Sequence, residues 1–250
     1  MKIKIFKNSE ILGNEAAKFS ADILNRAITK KGKARLVLAT GDSQWDTLKA
    51  LVKKNVDWRK VELFHLDEFI NLPIRHPASL RKHLKERFIN LVNLKNFYLI
   101  NGEGDVSKNI QDLTNEIRKE SIDLALVGIG ENAHIAFNDP PADFDTKEAY
   151  IVVDLNEDYK KQKVRGGWFS SVIEMPKRVI SMTVYEIMQS EVIVSCVPYK
   201  IKANAIKLTL ENDITNTIPA TKLKEHSNVI LFLDEDSASL VDKDVLNKYR

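Results

Sequence analysis

Short apolar runs of β-forming residues alternate along this chain with longer stretches whose apolar residues recur every three or four positions. That alternation restricts the fold more than any single motif does. "IKIF" precedes residues 9–30, where Leu12, Ala16, Phe19, Ile23 and Ala27 share one helical face. "RLVLA" at 35–39 precedes a helix with Trp45, Leu48 and Val52 on one side, and "VELFHL" at 61–66 leads through a loop to Leu80, Leu84 and Phe88. "NFYLI" at 96–100 precedes Ile110, Leu113 and Ile117. Further strands are predicted at 122–128, 149–154, 178–183, 191–197 and 228–233. Several are apolar throughout, as strands covered on both faces are. The expected fold is α/β, an open, mostly parallel, doubly wound sheet with helices on both faces. No repeat, low-complexity tract or Pro/Gly-rich linker divides the chain, so residues 1–250 are expected to form a single domain.

Composition narrows the partners. The formal charge is +3, from 38 basic and 35 acidic residues spread along the chain. There is no basic block of the kind that follows a phosphate backbone, so nucleic acid is not expected as a partner, while small anions are. No apolar run is long enough to span a membrane, and the N-terminal "MKIKIFKNSE" lacks the apolar core of a secretion signal. Cys196, the single cysteine, lies in the apolar "EVIVSCV" and reads as a buried thiol. These features predict a cytoplasmic protein. His76, His83 and His226 show no ligand spacing, so no metal is expected.

In open parallel sheets ligands bind beyond the carboxyl ends of the strands, and the polar segments here follow strands. "TGDSQ" follows the second, "DEF" the third, "GENAHIAFNDPP" the run at 122–128 and "PYKIK" the run at 191–197. "LATGDSQWDTLKAL" is a strand, a small-residue turn and a helix, which suits an anion or a plain turn capped by Asp42 or Ser43. In "LFHLDEF" a period of two puts His65 and Asp67 on one face and Glu68 on the other. Asp67 reads as a general base or as a surface carboxylate. In "GIGENAHIAFNDPP", Gly128 and Gly130 allow a sharp turn, His134 titrates near neutrality and Asp139 can orient its ring. Lys202, near the start of a helix, can reach an anion, although an isolated lysine there is ordinarily solvated.

"FHLDEFINLP", "HPASLRKHLKERF" and "GIGENAHIAFNDPP", in this order and spacing, resemble the glucosamine-6-phosphate deaminases, also called isomerases. The likeness runs from about residue 34 to about 235. The related 6-phosphogluconolactonases share the glycine turn and the histidine, but "IAFNDPP" after His134 is deaminase-like. "GWF" at 167–169 and "ISM" at 180–182 mark a divergent branch.

The resemblance implies a modified Rossmann-like sheet and an enzyme that converts glucosamine 6-phosphate to fructose 6-phosphate and ammonia without metal or organic cofactor. It is a carbohydrate-metabolic isomerase that hydrolyses a carbon–nitrogen bond. By position, Asp67 matches the base that moves a proton between C2 and C1, His134 the residue that assists ring opening, and Asp139 the acidic residue that supports it. Thr40, Gly41, Ser43, Gln44 and Lys202 match the phosphate cradle, and Arg165 is a candidate for its arginine. Asn132, counted with the catalytic candidates by position, stands where well-studied deaminases have a proton-relaying aspartate, a relay an asparagine cannot perform; adjacent Glu131 is a candidate substitute. Asp42 stands where a small residue is usual. The alternatives are a galactosamine-6-phosphate deaminase, a 6-phosphogluconolactonase and a non-catalytic sugar-phosphate sensor. The expected partner is a hexosamine phosphate, and a homo-oligomer is compatible with the sequence.

Overall fold

A computed structural model describes residues 1–249. The strands are β1 (Lys2–Phe6), β2 (Ala34–Leu38), β3 (Val61–His65), β4 (Asp67–Phe69), β5 (Asn96–Tyr98), β6 (Leu124–Val127), β7 (Tyr150–Asp154), β8 (Arg178–Met182), β9 (Ile193–Val197) and β10 (Val229–Asp234). The helices used below are α1 (Ser9–Lys31), α2 (Trp45–Leu51), α3 (Leu80–Arg87), α4 (Val106–Ile117), α5 (Glu157–Arg165), α6 (Val184–Met188) and α7 (Ala203–Glu211). Among the described residues no helix is long and apolar enough to cross a membrane.

Seven strands form one sheet in the order β1-β10-β9-β6-β2-β3-β5, and every neighbouring pair is parallel. Alternate residues of the same strands feed two separate cores. Leu36, Leu38, Leu63, Val194 and Phe232 pack with α1 and α2, while Val37, Phe64, Val127, Val197 and Leu233 pack with residues of α4 and α7. A strand buried on both faces has to be apolar at most positions, which is why β2, β6, β9 and β10 read as largely apolar runs, broken only by the buried Arg35, Ser195 and Asp234. From β2 the chain moves outward through β3 and β5, then returns to the other side of β2 at β6 and continues through β9 and β10. The direction therefore reverses between β2 and β6, and that switch point is where an open α/β sheet has its crevice.

The runs at 149–154 and 178–183 form strands, but not in this sheet. β8 lies between β4 and β7 in a separate antiparallel sheet, with Asp67 opposite Ser181 and Tyr150 opposite Met182. "VELFHLDEF" is accordingly not one strand. The chain leaves the parallel sheet at Leu66 and pairs again at once with β8, while the backbone N–H of Met182 donates to the Leu66 carbonyl. Trp45 also departs from expectation. It is partly exposed with the Arg87 guanidinium over its ring, and Leu48 carries the buried face of α2.

Helix α1 shows how local sequence and packing agree. Asn8 caps it by accepting from the Ile11 N–H, Gly32 ends it at φ 76°, and Lys30 and Lys31 lie in its last turn. Gly13 faces α2, where an added Cβ would come within 2.7 Å of the Asp46 backbone. Backbone cannot yield as a side-chain tip can. Gly13→Ala is expected to destabilise the protein by about 1–3 kcal/mol, despite alanine's better helix propensity; urea unfolding of the two proteins measures it.

Candidate active site

A cleft of about 450 Å³ opens beyond the carboxyl ends of the parallel strands, and it is lined by residues from the loops after β2, β3, β6 and β9 and from α5. Thr40, Gly41, Ser43, Gln44, Asp67, Glu131, His134 and Lys202 all line it. Asp42 does so as well.

The loop after β2 is pinned from below. The Gln44 amide donates to the carbonyl of Cys196 at 3.0 Å and to that of Val127 at 3.4 Å, so one side chain ties this loop to the ends of β9 and β6. The Thr40 hydroxyl and the Gln44 carbonyl oxygen are buried without a protein partner, which leaves them as groups a ligand can satisfy. Gly128 is a matter of space here, because an added Cβ would lie 2.9 Å from the Ser43 hydroxyl.

His134 is set by the loop after β6. Its Nδ1 lies 2.6 Å from Asn132 Oδ1 and 3.1 Å from Asp139 Oδ1. A nitrogen held by two acceptors carries the proton, which leaves Nε2 as the free nitrogen of a ring that lines the cleft. Asn132 also donates to Asp139 at 2.9 Å, and Asn156 Nδ2 donates to the other Asp139 oxygen at 2.7 Å. Burial opposes ionisation of Asp139, but the hydrogen bonds from His134, Asn132 and Asn156 hold its carboxyl below the usual range. Gly130 lies against the imidazole, where a Cβ would come within 2.1 Å of the ring. Neither Gly128 nor Gly130 adopts a left-handed φ; the left-handed residues beside His134 are Ala133 and Ala136. The chain does turn from Gly130, whose carbonyl accepts from the Ala133 N–H, but what requires glycine at these two positions is room rather than a left-handed backbone.

Asp67 is 8% exposed. Burial, and then the neighbouring charge of Glu68, push its carboxyl up to about 7, against the pull of Lys163. His65 does not share its surroundings. It is wholly buried outside the cleft, and burial together with the Arg81 charge lowers it to about 3. The break at Leu66 separates the two residues that a continuous strand would have put on one face.

Two expected residues lie elsewhere. Arg165 is exposed and does not line the cleft. On a helix, positions two apart face roughly opposite ways, and on α5 it is Lys163 that turns inward. Asn132 is exposed behind His134, with its amide committed to His134 and Asp139. The carboxylate beside it, Glu131, lines the cleft and accepts from Gln162 of α5.

Helix α5 was not anticipated, and with it were missed Tyr159, Gln162 and Lys163, all in the cleft, and its N-cap Asn156. In "NEDYKKQKVR" the inward lysine looks like its neighbours; the one readable signal was Asn156 at capping distance from Tyr159. Burial, the largest influence, lowers Lys163 and Lys202 below the ordinary lysine range, against the pull of carboxylates that include Asp42 and Glu131. Tyr199 reaches the cleft at φ 82°, with its N–H held by the Asp234 carboxylate at 3.0 Å, and the turn that follows delivers Lys202.

The raised Asp67 has a stability consequence. In the unfolded chain this carboxyl loses its proton near 3.8, in the folded protein near 7. Between those values the folded state holds the extra proton, so stability falls as pH rises. Asp67→Asn cannot ionise. It is expected to exceed the parent in stability by on the order of 2–4 kcal/mol at pH 8, with the advantage growing from about pH 4 to 7 and vanishing in acid. Denaturant unfolding across pH checks this.

Residues 7–232 match the family described as glucosamine-6-phosphate isomerases/6-phosphogluconolactonase. The chain is 35% identical over 243 residues to a glucosamine-6-phosphate deaminase of Streptococcus uberis, covering 97% of this chain and 100% of that one. It is 35% identical over 250 residues to a glucosamine-6-phosphate deaminase of Clostridium botulinum, covering 97% of each. A solved structure of a monomeric glucosamine-6-phosphate deaminase superposes with a TM-score of 0.87 at 29% identity, covering 96% of this chain and 100% of that one. A 6-phosphogluconolactonase from Thermotoga maritima superposes at 0.78 with 16% identity, covering 93% and 99%, a likeness of fold.

Proposed function

The chain belongs to the family of glucosamine-6-phosphate isomerases and 6-phosphogluconolactonases, and we propose that, with residues 1–250 acting as one catalytic domain, it converts glucosamine 6-phosphate and water to fructose 6-phosphate and ammonia. The observation that carries this reading is the shared cleft: a buried, proton-holding Asp67 and a Nδ1-bound His134 line it together with two dehydrated lysines. The relatives' names support the same activity. The cysteine, Cys196, is buried and unpaired, which suits a cytoplasmic setting.

His134 Nε2 moves the proton between the ring oxygen and the anomeric hydroxyl as the sugar opens. Its ring is fixed by Asp139 and Asn132, which hold the Nδ1 side and leave Nε2 for the transfer. Asp67 then takes the proton from C2 and returns it to C1, while a proton passes from the amino group to O1, so that the aldehyde becomes a hydroxymethyl group and C2 an imine. Water adds at C2 and ammonia leaves, which completes the hydrolysis of the carbon–nitrogen bond. A carboxyl near 7 is matched to giving and taking a proton at neutral pH. Lactone hydrolysis requires no base over C2, so the buried Asp67 favours the deaminase.

Lys202 and Lys163, with Thr40, Ser43 and the backbone at Gly41, form the phosphate end of the cleft. A phosphate there supplies the counter-charge that burial denies the two ammonium groups, and it holds the sugar by atoms remote from the reacting carbons.

Ammonia and fructose 6-phosphate should be released from glucosamine 6-phosphate faster than from its galactosamine epimer, with 6-phosphogluconolactone left unhydrolysed, and Asp67→Asn should lower turnover by several orders of magnitude. A chain that binds glucosamine 6-phosphate and releases nothing would be a sensor. Lys163→Ala and Lys202→Ala should each weaken substrate binding by about 1.5–3 kcal/mol without changing affinity for the unphosphorylated amino sugar. Because both lysines sit below the ordinary range, KM of the parent should begin to rise at a lower alkaline pH than free lysine would give. Steady-state kinetics on the three proteins checks both.

A further inference from the structure

Asp67 and Glu68 are consecutive residues of β4 whose side chains meet opposite surroundings. Asp67 reaches the cleft, whereas Glu68 is 0% exposed and does not line it. Glu68 is surrounded by donors. Its Oε1 accepts from the N–H of Phe69 at 2.9 Å and of Leu80 at 3.2 Å. Its Oε2 accepts from the Arg81 N–H at 2.7 Å, the Arg81 Nε at 3.2 Å and the Ser79 hydroxyl at 2.9 Å. Burial raises the Glu68 carboxyl above the usual glutamate range, while these five donors, one of them a guanidinium, pull the other way and favour the ionised form. Arg81 is itself fixed by Asn101, the Leu72 carbonyl and Glu103. The start of α3 is thus folded around this one carboxylate.

We propose that Glu68 is a positioning residue for Asp67: a hydrogen-bonded carboxylate on the far side of β4 whose charge adds to burial in making Asp67 keep its proton. The inference rests on the reading of Asp67 as the C2 base. A second negative charge one residue away opposes ionisation of Asp67, and in a dehydrated strand solvent does little to screen it. The other groups that act on Asp67 come from α5. They are Lys163, which favours its ionisation, and Tyr159, whose hydroxyl is held well above the usual tyrosine range by burial and nearby carboxylates. Of the three, Glu68 is the one whose hydrogen bonds favour its charge and fix its place. Two carboxylates at one point of the chain thereby take different tasks, the walled-in one electrostatic and the cleft-facing one chemical.

The test is the acidic limb of the pH dependence of turnover. In the parent it should fall near 7, the value that Asp67 carries. In Glu68→Gln it should move down by about one pH unit; a purely structural role would lower the melting temperature and the height of the profile without moving the limb. An unmoved limb in folded Glu68→Gln overturns the inference. Because a glutamine amide must face donors there, that variant can fail to fold, so the charge is also read in the native protein. Side-chain carboxyl carbon NMR, with Asp67 assigned by its loss in Asp67→Asn, should show Asp67 titrating near 7 while Glu68 keeps its ionised shift from about pH 6 to about pH 9. A Glu68 resonance that titrates through that range overturns the inference as well. Wild-type turnover in Asp67→Asn would instead remove the base itself, whereas an inactive Asp67→Asn with an unmoved limb in Glu68→Gln removes only the role given to Glu68.

Discussion

Strand β8 holds the two halves of the site together. On one edge it pairs with β4, opposite Asp67. On the other side its Ser181 hydroxyl accepts from the Phe137 N–H at 3.0 Å, and its Met182 carbonyl accepts from the Asn138 amide at 2.9 Å. The loop that carries His134 and the strand that carries Asp67 follow different parallel strands, β6 and β3, which the parallel sheet joins only through β2. The short antiparallel sheet joins them through β8. It also explains why Asn138 is buried, since its amide spans the Ile135 and Met182 carbonyls and closes the loop around the histidine. The remaining edge of the site is fixed by Gln44, which joins the loop after β2 to the ends of β6 and β9.

The cleft keeps charges where solvent does not fully repay them. Burying a carboxylate or an ammonium is costly unless something pairs with it. Asp67 meets that cost by holding its proton to about 7, and Lys163 and Lys202 meet it by holding theirs less tightly. Groups moved toward neutrality in this way can exchange protons at working pH and bind an arriving anion strongly, which is how perturbed groups come to mark functional sites. Asp42, at the mouth, lies within the field of both lysines and of Arg87. It offers these cations a carboxylate that a phosphate has to compete with.

Much of this was legible in the linear chain because parallel sheets are demanding. β2, β6, β9 and β10 have to be largely apolar, and in a parallel ladder their carboxyl ends fall on one edge, so the polar segments after them were bound to meet there. Asp67, His134, Glu131, Lys202 and the loop at 40–44 do meet. What escaped had local patterns that fit more than one partner. "RVISM" is as apolar as a parallel strand, yet β8 pairs antiparallel with β4 and β7. "VELFHLDEF" alternates like one strand, yet the break at Leu66 sends its halves to different sheets. Arg165 and Lys163 differ by two residues in a charged stretch, and only the packing of α5 says which faces the cleft.

The sequence by itself determined the class of fold, the edge on which ligands bind and the residue types gathered there, because hydrophobic periodicity and strand direction are local properties read along one dimension. It also determined the glycines at 128 and 130, although not their reason, which is room for Ser43 and for the His134 ring. The tertiary structure decided what depends on distance between segments remote in sequence. It put β8 against both Asp67 and the histidine loop, turned Lys163 inward, turned Asn132 away, and set Glu68 among five donors on the side of β4 away from Asp67. Those outcomes follow from side chains competing for the same space and the same hydrogen bonds, and that competition exists only once the chain has folded.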